Sequence, residues 1–276
     1  QEQKRRRGGG RAGNALRRGS ASIEQMPWHL PINNDSPTEP LNEAGIMAIH
    51  EGAMRILEEI GVEFLNEKAL RILKKAGCKI NEQNVRMDRH FVMEMVAKAP
   101  STFDITPRNA KRKITVGGPY ILFGNVSSPP AYWDLEINKK IPGSREMCAN
   151  FCKLSQYFNC IHFLGGYPVE PVDLHPSTRH LDAVFDKLIL SDKVAHAYSL
   201  GKERVEDVME MVRIAGNLSH DEFEASPKMF TNINSTSPLK HDEPMLDGWM
   251  RLAEKNQALI VTPFTLAGAM APVTMA

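Results

Sequence analysis

The chain has 276 residues, 42% of them hydrophobic, with 34 Lys and Arg against 33 Asp and Glu. This length allows one large core or two ordinary domains, and the balanced charge argues against a domain-wide nucleic-acid surface. No apolar run approaches the roughly 18 residues that a membrane span needs, and Arg and Gly occupy the first twenty positions where a signal peptide would be apolar. With four scattered cysteines, which suit a reducing compartment, these features predict a cytoplasmic protein that binds neither nucleic acid nor membrane.

The first 41 residues are expected to form a basic, flexible arm and a Pro- and Asn-rich entry loop. Gly8, Gly10 and Gly13 match the spacing of a dinucleotide-binding turn. That turn needs a strand before it and a helix behind it, and a polar tail supplies neither. The basic residues are interpreted as a solvated or partner-contacting arm. Because the chain starts at Gln1 and stops at Ala276 without a recognisable terminal element, we expect it to be a fragment.

Residues 42–143 are predicted to form a helical cap followed by antiparallel strands. Six apolar residues share one face of the first predicted helix: Ile46, Ile49, Ala53, Ile56, Leu57 and Ile60. Gly61 is placed to end that helix, and Asn66 and Asp88 are placed to cap a second and a third. Strand-like segments follow at 102–106, 113–116, 120–123 and 132–137, the last as one arm of a hairpin.

Residues 144–276 alternate between helices and short apolar strands. The predicted strands are 160–164, 194–198, 229–233 and 259–261. Their spacing of roughly 30–35 residues is that of a βα unit, and their continuous apolar character indicates parallel strands covered on both faces. Such alternation predicts an α/β fold with a parallel sheet, open or closed into a barrel.

The strand ends favour a barrel. The turn at Gly165 and Gly166 is too short for a dinucleotide-binding loop, because the chain runs directly into Pro168. Each predicted strand instead ends in polar or turn residues, as the strands that form the mouth of a TIM barrel do. We therefore predict a partial TIM barrel of about four βα units.

The cysteines and the loop histidines each allow two interpretations. Cys148 and Cys152 stand one helical turn apart with Cys160 close by, which could form a thiolate metal site. Their apolar neighbours favour buried, reduced cysteines without zinc. Asp173 near His175, and His241 beside Asp242, could act as proton relays or be solvated loop charges.

The predicted substrate-binding residues lie at or just beyond the carboxyl ends of the strands: Tyr167, Tyr198, Asn232, Asn234, Thr262 and Phe264. Aromatic rings in a barrel mouth can attract a cation, although packing beneath the loops is an equal alternative. Asn232 and Asn234 share a strand face and could donate amide hydrogen bonds to a carboxylate, or Asn234 could only satisfy the turn. No metal ligands are predicted.

Two stretches of the predicted barrel resemble the trimethylamine methyltransferase family. They are residues 229–248, beginning Met-Phe-Thr-Asn-Ile-Asn-Ser-Thr-Ser-Pro-Leu, and residues 261–274, which read Val-Thr-Pro-Phe-Thr-Leu-Ala-Gly-Ala-Met-Ala-Pro-Val-Thr. The front of the chain agrees at Arg5-Arg6-Arg7-Gly8-Gly9, at residues 49–62, and at Phe123-Gly124 before Asp134-Leu135. The resemblance implies a methyltransferase that moves a methyl group from trimethylamine or a quaternary amine such as glycine betaine. The acceptor would be the Co(I) of a corrinoid carried by a partner protein, so that the chain itself need bind no cofactor.

The resemblance also implies what this sequence leaves out. Homologues are about twice as long, and some contain pyrrolysine at a position that would lie beyond Ala276, where catalytic residues are also expected. A homo-oligomer is expected as well. Two alternatives remain open: another TIM-barrel enzyme with a directly bound cofactor, and a non-catalytic partner-binding protein.

Overall fold

The computed structural model describes residues 23–196, 201–236, 238–263, 266–268 and 273, and they form a mixed α/β fold. The α-helices are α1 Glu43–Arg55, α2 Glu67–Lys75, α3 Arg89–Ala97, α4 Arg145–Tyr157, α5 Arg179–Leu190, α6 Lys202–Ala215, α7 His220–Glu224 and α8 Glu243–Glu254. The strands are β1 Val62–Phe64, β2 Lys79–Asn81, β3 Asn84–Arg86, β4 Thr102–Ile105, β5 Ile114–Gly117, β6 Ala131–Asp134, β7 Lys139–Pro142, β8 Phe163–Leu164, β9 Val194–His196, β10 Met229–Asn234, β11 Lys240–His241 and β12 Ala258–Thr262. A π-helical turn, Ile56–Ile60, extends α1, and a short 3-10 helix covers Ala110–Arg112. In the part of the chain described, no helix is both long enough and apolar enough to cross a bilayer.

The predicted helix caps of the N-terminal region are confirmed. The side chain of Asn66 accepts a hydrogen bond from the Ala69 amide at 3.0 Å, and Asp88 accepts one from the His90 amide at 2.9 Å. Gly61 ends the first helical block with a φ of 84°, a left-handed conformation that favours glycine. Local side-chain chemistry therefore sets these three boundaries.

The same region corrects the prediction of a purely helical cap. It contains a four-stranded sheet in the order β11-β1-β3-β2, with β1 parallel to β11 and antiparallel to β3. Strands of two or three residues are too short to show an alternating pattern, and β11 arrives from much later in the chain. The predicted apolar face of α1 lies outward among the described residues, where Ile49 is 63% and Ile60 55% exposed, while Met54 is buried.

The antiparallel layer is confirmed in two of its parts. β4 pairs with β5, and β6 and β7 form the predicted hairpin. The predicted strand at 120–123 is wrong: this segment makes isolated bridges, Ile32 with Tyr120 and Gly124 with Phe163. The Phe123 carbonyl accepts from the His162 amide at 2.7 Å, so the segment follows the outer edge of β8 without forming a regular ladder.

The later part of the chain forms a parallel sheet in the order β8-β9-β10-β12, which confirms four parallel strands in sequential order. β8 and β9 are shorter than predicted, and the short helix α7 was not predicted. Helices α5, α6 and α8 cover one face of the sheet, where Val184, Val205 and Leu252 pack against Met229. The described strands form an open sheet, and closure into a barrel stays a prediction, as does the division at residues 41 and 143.

The opposite face of this parallel sheet, called the inner face below, is covered at its amino end by β4 and β5. Ile105 and Ile114 of that pair pack against Val194 and Phe230. An apolar cavity of about 200 Å³ remains between the two sheets. This packing closes the amino end of the inner face, so a site on this face would lie toward the carboxyl ends of the strands.

Candidate functional site

Strand register places polar side chains together at the carboxyl end of the inner face. Phe230 pairs with His196 on one side and with Ala258 on the other, while Asn234 pairs with Thr262. Residues two apart on a strand share a face, so His196, Asn232, Asn234 and Thr262 all lie on the side of Phe230. The register therefore brings Asn232, Asn234 and Thr262 to one face near the carboxyl ends of β10 and β12, where each is partly buried. That they line a substrate site stays a prediction.

Tyr167, one of the three aromatic residues predicted for the mouth, is buried. Tyr167 is only 2% exposed and packs with Cys148, Val169 and Ala183 on the helix side of the sheet. This placement favours the alternative interpretation of packing beneath the loops, and direct contact between Tyr167 and a substrate stays a prediction. Tyr198 and Phe264 lie outside the described residues.

His196 is a feature of the inner face that the sequence analysis missed. It is the last residue of β9, is 7% exposed, and meets the ring of Phe230 edge-on at 4.9 Å between centroids. Among the described residues neither of its ring nitrogens has a partner in hydrogen-bonding geometry, although the nearby amide of Asn232 favours its protonated form. Burial, with the nearby charge of Lys187 as the next cause, lowers the pKa of His196 to about 3. The imidazole is therefore neutral at physiological pH.

Lys187 is the second missed feature. It projects from α5 toward the carboxyl ends of β8 and β9, is 2% exposed, and has a pKa that burial lowers to about 8. Its Nζ donates hydrogen bonds to the carbonyl oxygens of Gly166 and His196 and lies 5.8 Å from the centroid of the Tyr167 ring. In the amphipathic pattern of α5, Lys187 is one more charged helix residue, so no local pattern predicts that it is buried.

The loop that follows β10 is fixed to the N-terminal sheet. The Glu63 amide donates to the Leu239 carbonyl at 2.8 Å, and Lys240 forms an ion pair with Glu63 at 2.8 Å. The ring of His241 lies 5.6 Å from that of Phe64 and 5.8 Å from that of Trp249. The N-terminal sheet therefore holds the loop that begins just after Asn234.

The two carboxylates considered as proton relays accept hydrogen bonds from backbone amides at the first turns of helices. Asp242 accepts a hydrogen bond from the Met245 amide at 3.0 Å and caps α8. Asp173 accepts from the Arg145 amide at 2.8 Å, at the first residue of α4. Both are structural contacts, and the proton-relay interpretation gains no support from them.

The cysteines divide into two groups. Cys148 and Cys152 are buried on α4, as predicted from their apolar neighbours, whereas Cys160 is exposed, so the prediction of burial is wrong for it. Cys160 lies in the turn before β8 rather than in a helix. Among the described residues, no three His, Cys, Asp or Glu side chains come together as a metal site.

A larger apolar groove of about 710 Å³ lies between α2, α3 and α8. Apart from Glu94, its lining side chains are apolar, with Phe91, Met95 and Trp249 among them. Small-molecule sites usually combine an apolar wall with a few convergent polar groups. The inner face has that combination and the groove does not.

The fold is a mixed α/β fold with a four-stranded parallel sheet. The family model for trimethylamine methyltransferase (MTTB) matches residues 6–276. The chain belongs to this family.

Two relatives come from Desulfitobacterium hafniense. The glycine betaine methyltransferase of strain Y51 is 34% identical over 236 residues, which cover 86% of this chain and 49% of the relative. The trimethylamine methyltransferase MttB of strain DSM 10664 / DCB-2 is 24% identical over 202 residues, which cover 71% of this chain and 39% of the relative. The chain thus spans about half the length, or less, of the curated relatives it matches.

Proposed function

We propose that the protein takes part in moving a methyl group from a quaternary amine such as glycine betaine, or from trimethylamine, to the Co(I) of a corrinoid carried by a partner protein. Family membership supports methyl transfer. The higher identity to the glycine betaine methyltransferase than to MttB favours the quaternary amine. The protein would work in the cytoplasm as a homo-oligomer.

The same proposal includes the fold. We infer that β8, β9, β10 and β12 are the first four strands of a TIM barrel. Their sequential parallel order supports it, as do the helices α5, α6 and α8 on one face. In a barrel the carboxyl ends of the strands build the active site, which is where Asn232, Asn234 and Thr262 lie.

The proposal of a quaternary amine substrate rests on the chemistry of the inner face. Along the described strands, the inward positions carry apolar side chains, the two amides, the Thr262 hydroxyl and the neutral imidazole of His196. None of these positions carries a charged side chain in the described strands. A zwitterion such as glycine betaine has no net charge, and amide groups can donate hydrogen bonds to its carboxylate.

In the proposed reaction this chain mainly binds and orients the substrate. A quaternary ammonium group releases a neutral amine when it loses a methyl group, so positioning the reacting carbon contributes most of what the protein supplies. The corrinoid on its partner supplies the nucleophile. In this proposal Asn232 and Asn234 hold the carboxylate of the substrate, so that the trimethylammonium group is presented to the partner.

The test is methyl transfer by the purified full-length protein with a corrinoid protein, offered glycine betaine or trimethylamine. Asn234→Ala should raise KM for glycine betaine about tenfold to a hundredfold, as expected for one lost hydrogen bond to a charged group. Asn81→Ala is the matched control, because Asn81 is an exposed strand asparagine in the cap sheet. Equal KM values for the parent and Asn234→Ala would refute the assignment of that residue.

The same preparation separates the alternatives. A visible chromophore that copurifies with the protein would favour an enzyme with a directly bound cofactor. Binding of the corrinoid protein without any methyl transfer would favour a non-catalytic partner-binding protein. Methyl transfer from trimethylamine but not from glycine betaine would support the proposed methyl transfer and identify trimethylamine as the substrate.

A further inference from the structure

The feature that the proposed function leaves unexplained is the buried ammonium group of Lys187. It is 2% exposed, and its hydrogen bonds to the carbonyls of Gly166 and His196 measure 2.6 and 2.9 Å. Both of these acceptors are neutral backbone groups. Burying a charge is costly unless its partners compensate, so a role in holding those two carbonyls would account for it.

The two carbonyls belong to neighbouring strand ends at the carboxyl side of the parallel sheet. Gly166 lies two residues beyond β8 and directly precedes Tyr167, while His196 is the last residue of β9. The Nζ of Lys187 therefore joins the ends of β8 and β9 from the helix side. The connection continues across the sheet, because His196 pairs with Phe230 on β10, two residues before Asn232.

We propose that Lys187 is a positioning residue of the substrate site. By tying the carboxyl ends of β8 and β9 together, it sets the place of His196 and, through the pairing of β9 with β10, the position of Asn232. Lys187 approaches these strand ends from the helix side of the sheet and does not touch the substrate. This inference rests on the proposed function, since it concerns the same inner face.

Lys193 offers a matched control within the same part of the fold. It is 3% exposed, and its Nζ also donates to two backbone carbonyls, those of Ser155 and Phe158. Burial lowers its pKa to about 8, the same value as for Lys187. The difference is position, because Lys193 lies before the amino end of β9 and holds the end of α4.

The experiment compares Lys187→Met with Lys193→Met. Methionine keeps most of the length of the side chain and removes the charge and the donors. For methyl transfer from glycine betaine, Lys187→Met should raise KM about tenfold or more while kcat changes less than about threefold, the pattern of lost substrate binding. Lys193→Met should keep both constants within about twofold of the parent, although its thermal midpoint falls.

A general loss of stability would not produce that split between KM and kcat. If Lys187→Met does not fold, Lys187→Gln takes its place, because the amide can still donate to one of the two carbonyls; the expected rise in KM is then smaller. An active parent combined with unchanged KM in the folded Lys187 variant overturns the positioning role alone, as do parallel losses in the Lys187 and Lys193 variants. A parent without methyl transfer overturns the proposed function and this role with it.

Discussion

Acidification tests the buried, neutral state of His196. Burial is the largest cause of its lowered pKa, the charge of Lys187 adds to it, and Asn232 opposes it. The pKa is about 3 in the folded chain against an ordinary value of 6.5. Between these two values the unfolded chain binds a proton that the folded chain does not, so stability rises with pH in that window and falls as pH drops through it.

The size of the effect follows from the two pKa values. At pH 7 the unfolded histidine is mostly neutral, so little stability is lost to its protonation. At pH 5 it is almost fully protonated, which lowers the free energy of unfolding by roughly 2 kcal/mol relative to pH 7. Burial also lowers the pKa values of His162 and His241, so the parent protein should lose more than this single contribution.

The measurement is denaturant unfolding at pH 7 and pH 5 for the parent and His196→Asn. Asparagine cannot titrate, so His196→Asn should lose about 2 kcal/mol less than the parent between the two pH values. Equal losses in the parent and in His196→Asn would refute the buried state of this imidazole.

Two further predictions concern stability. Asn66→Ala should lower the free energy of unfolding by about 2–4 kcal/mol, since it removes both the cap of α2 and a hydrogen bond to Asp247 at 2.9 Å. Asn42→Ala, which removes an exposed cap, should lower it by only about 1 kcal/mol. Equal losses of stability in the two variants, measured by thermal unfolding, would contradict the contribution of Asp247. Leu252→Ala should cost about 2–5 kcal/mol because that side chain is fully buried, whereas Leu135→Ala, 86% exposed, should stay within about 0.5 kcal/mol of the parent in the same assay.

The sequence predicted the parts of the fold that local chemistry decides. Capping by Asn66 and Asp88 and the turn at Gly61 depend on residues within one helical turn of each other. The order of the parallel strands follows from the spacing of the βα units. The cap sheet depends on pairing between Glu63 and Lys240, which no local pattern records.

The candidate site divides in the same way. Asn232 and Asn234 were found because alternation along a strand places them on one face, and the register confirms it. Tyr167 was expected in the mouth because it follows a strand, but the chain turns at Gly166, with a φ of 31°, and carries the ring to the helix side. A residue beyond the last strand position therefore cannot be assigned to a face by alternation alone.

His196 and Lys187, the two residues that the sequence analysis missed, interact electrostatically across the sheet. His196 ends an otherwise apolar run in β9, which was the only sequence signal that a polar group faces the core. Lys187 lies on the helix side, and its positive charge is the second cause that lowers the pKa of His196. A cation held behind the sheet thus helps to keep the imidazole on the inner face uncharged. Under the proposed function, the face then presents neutral hydrogen-bonding groups to a zwitterion, and the proposed positioning residue keeps its charge on the other side of the sheet.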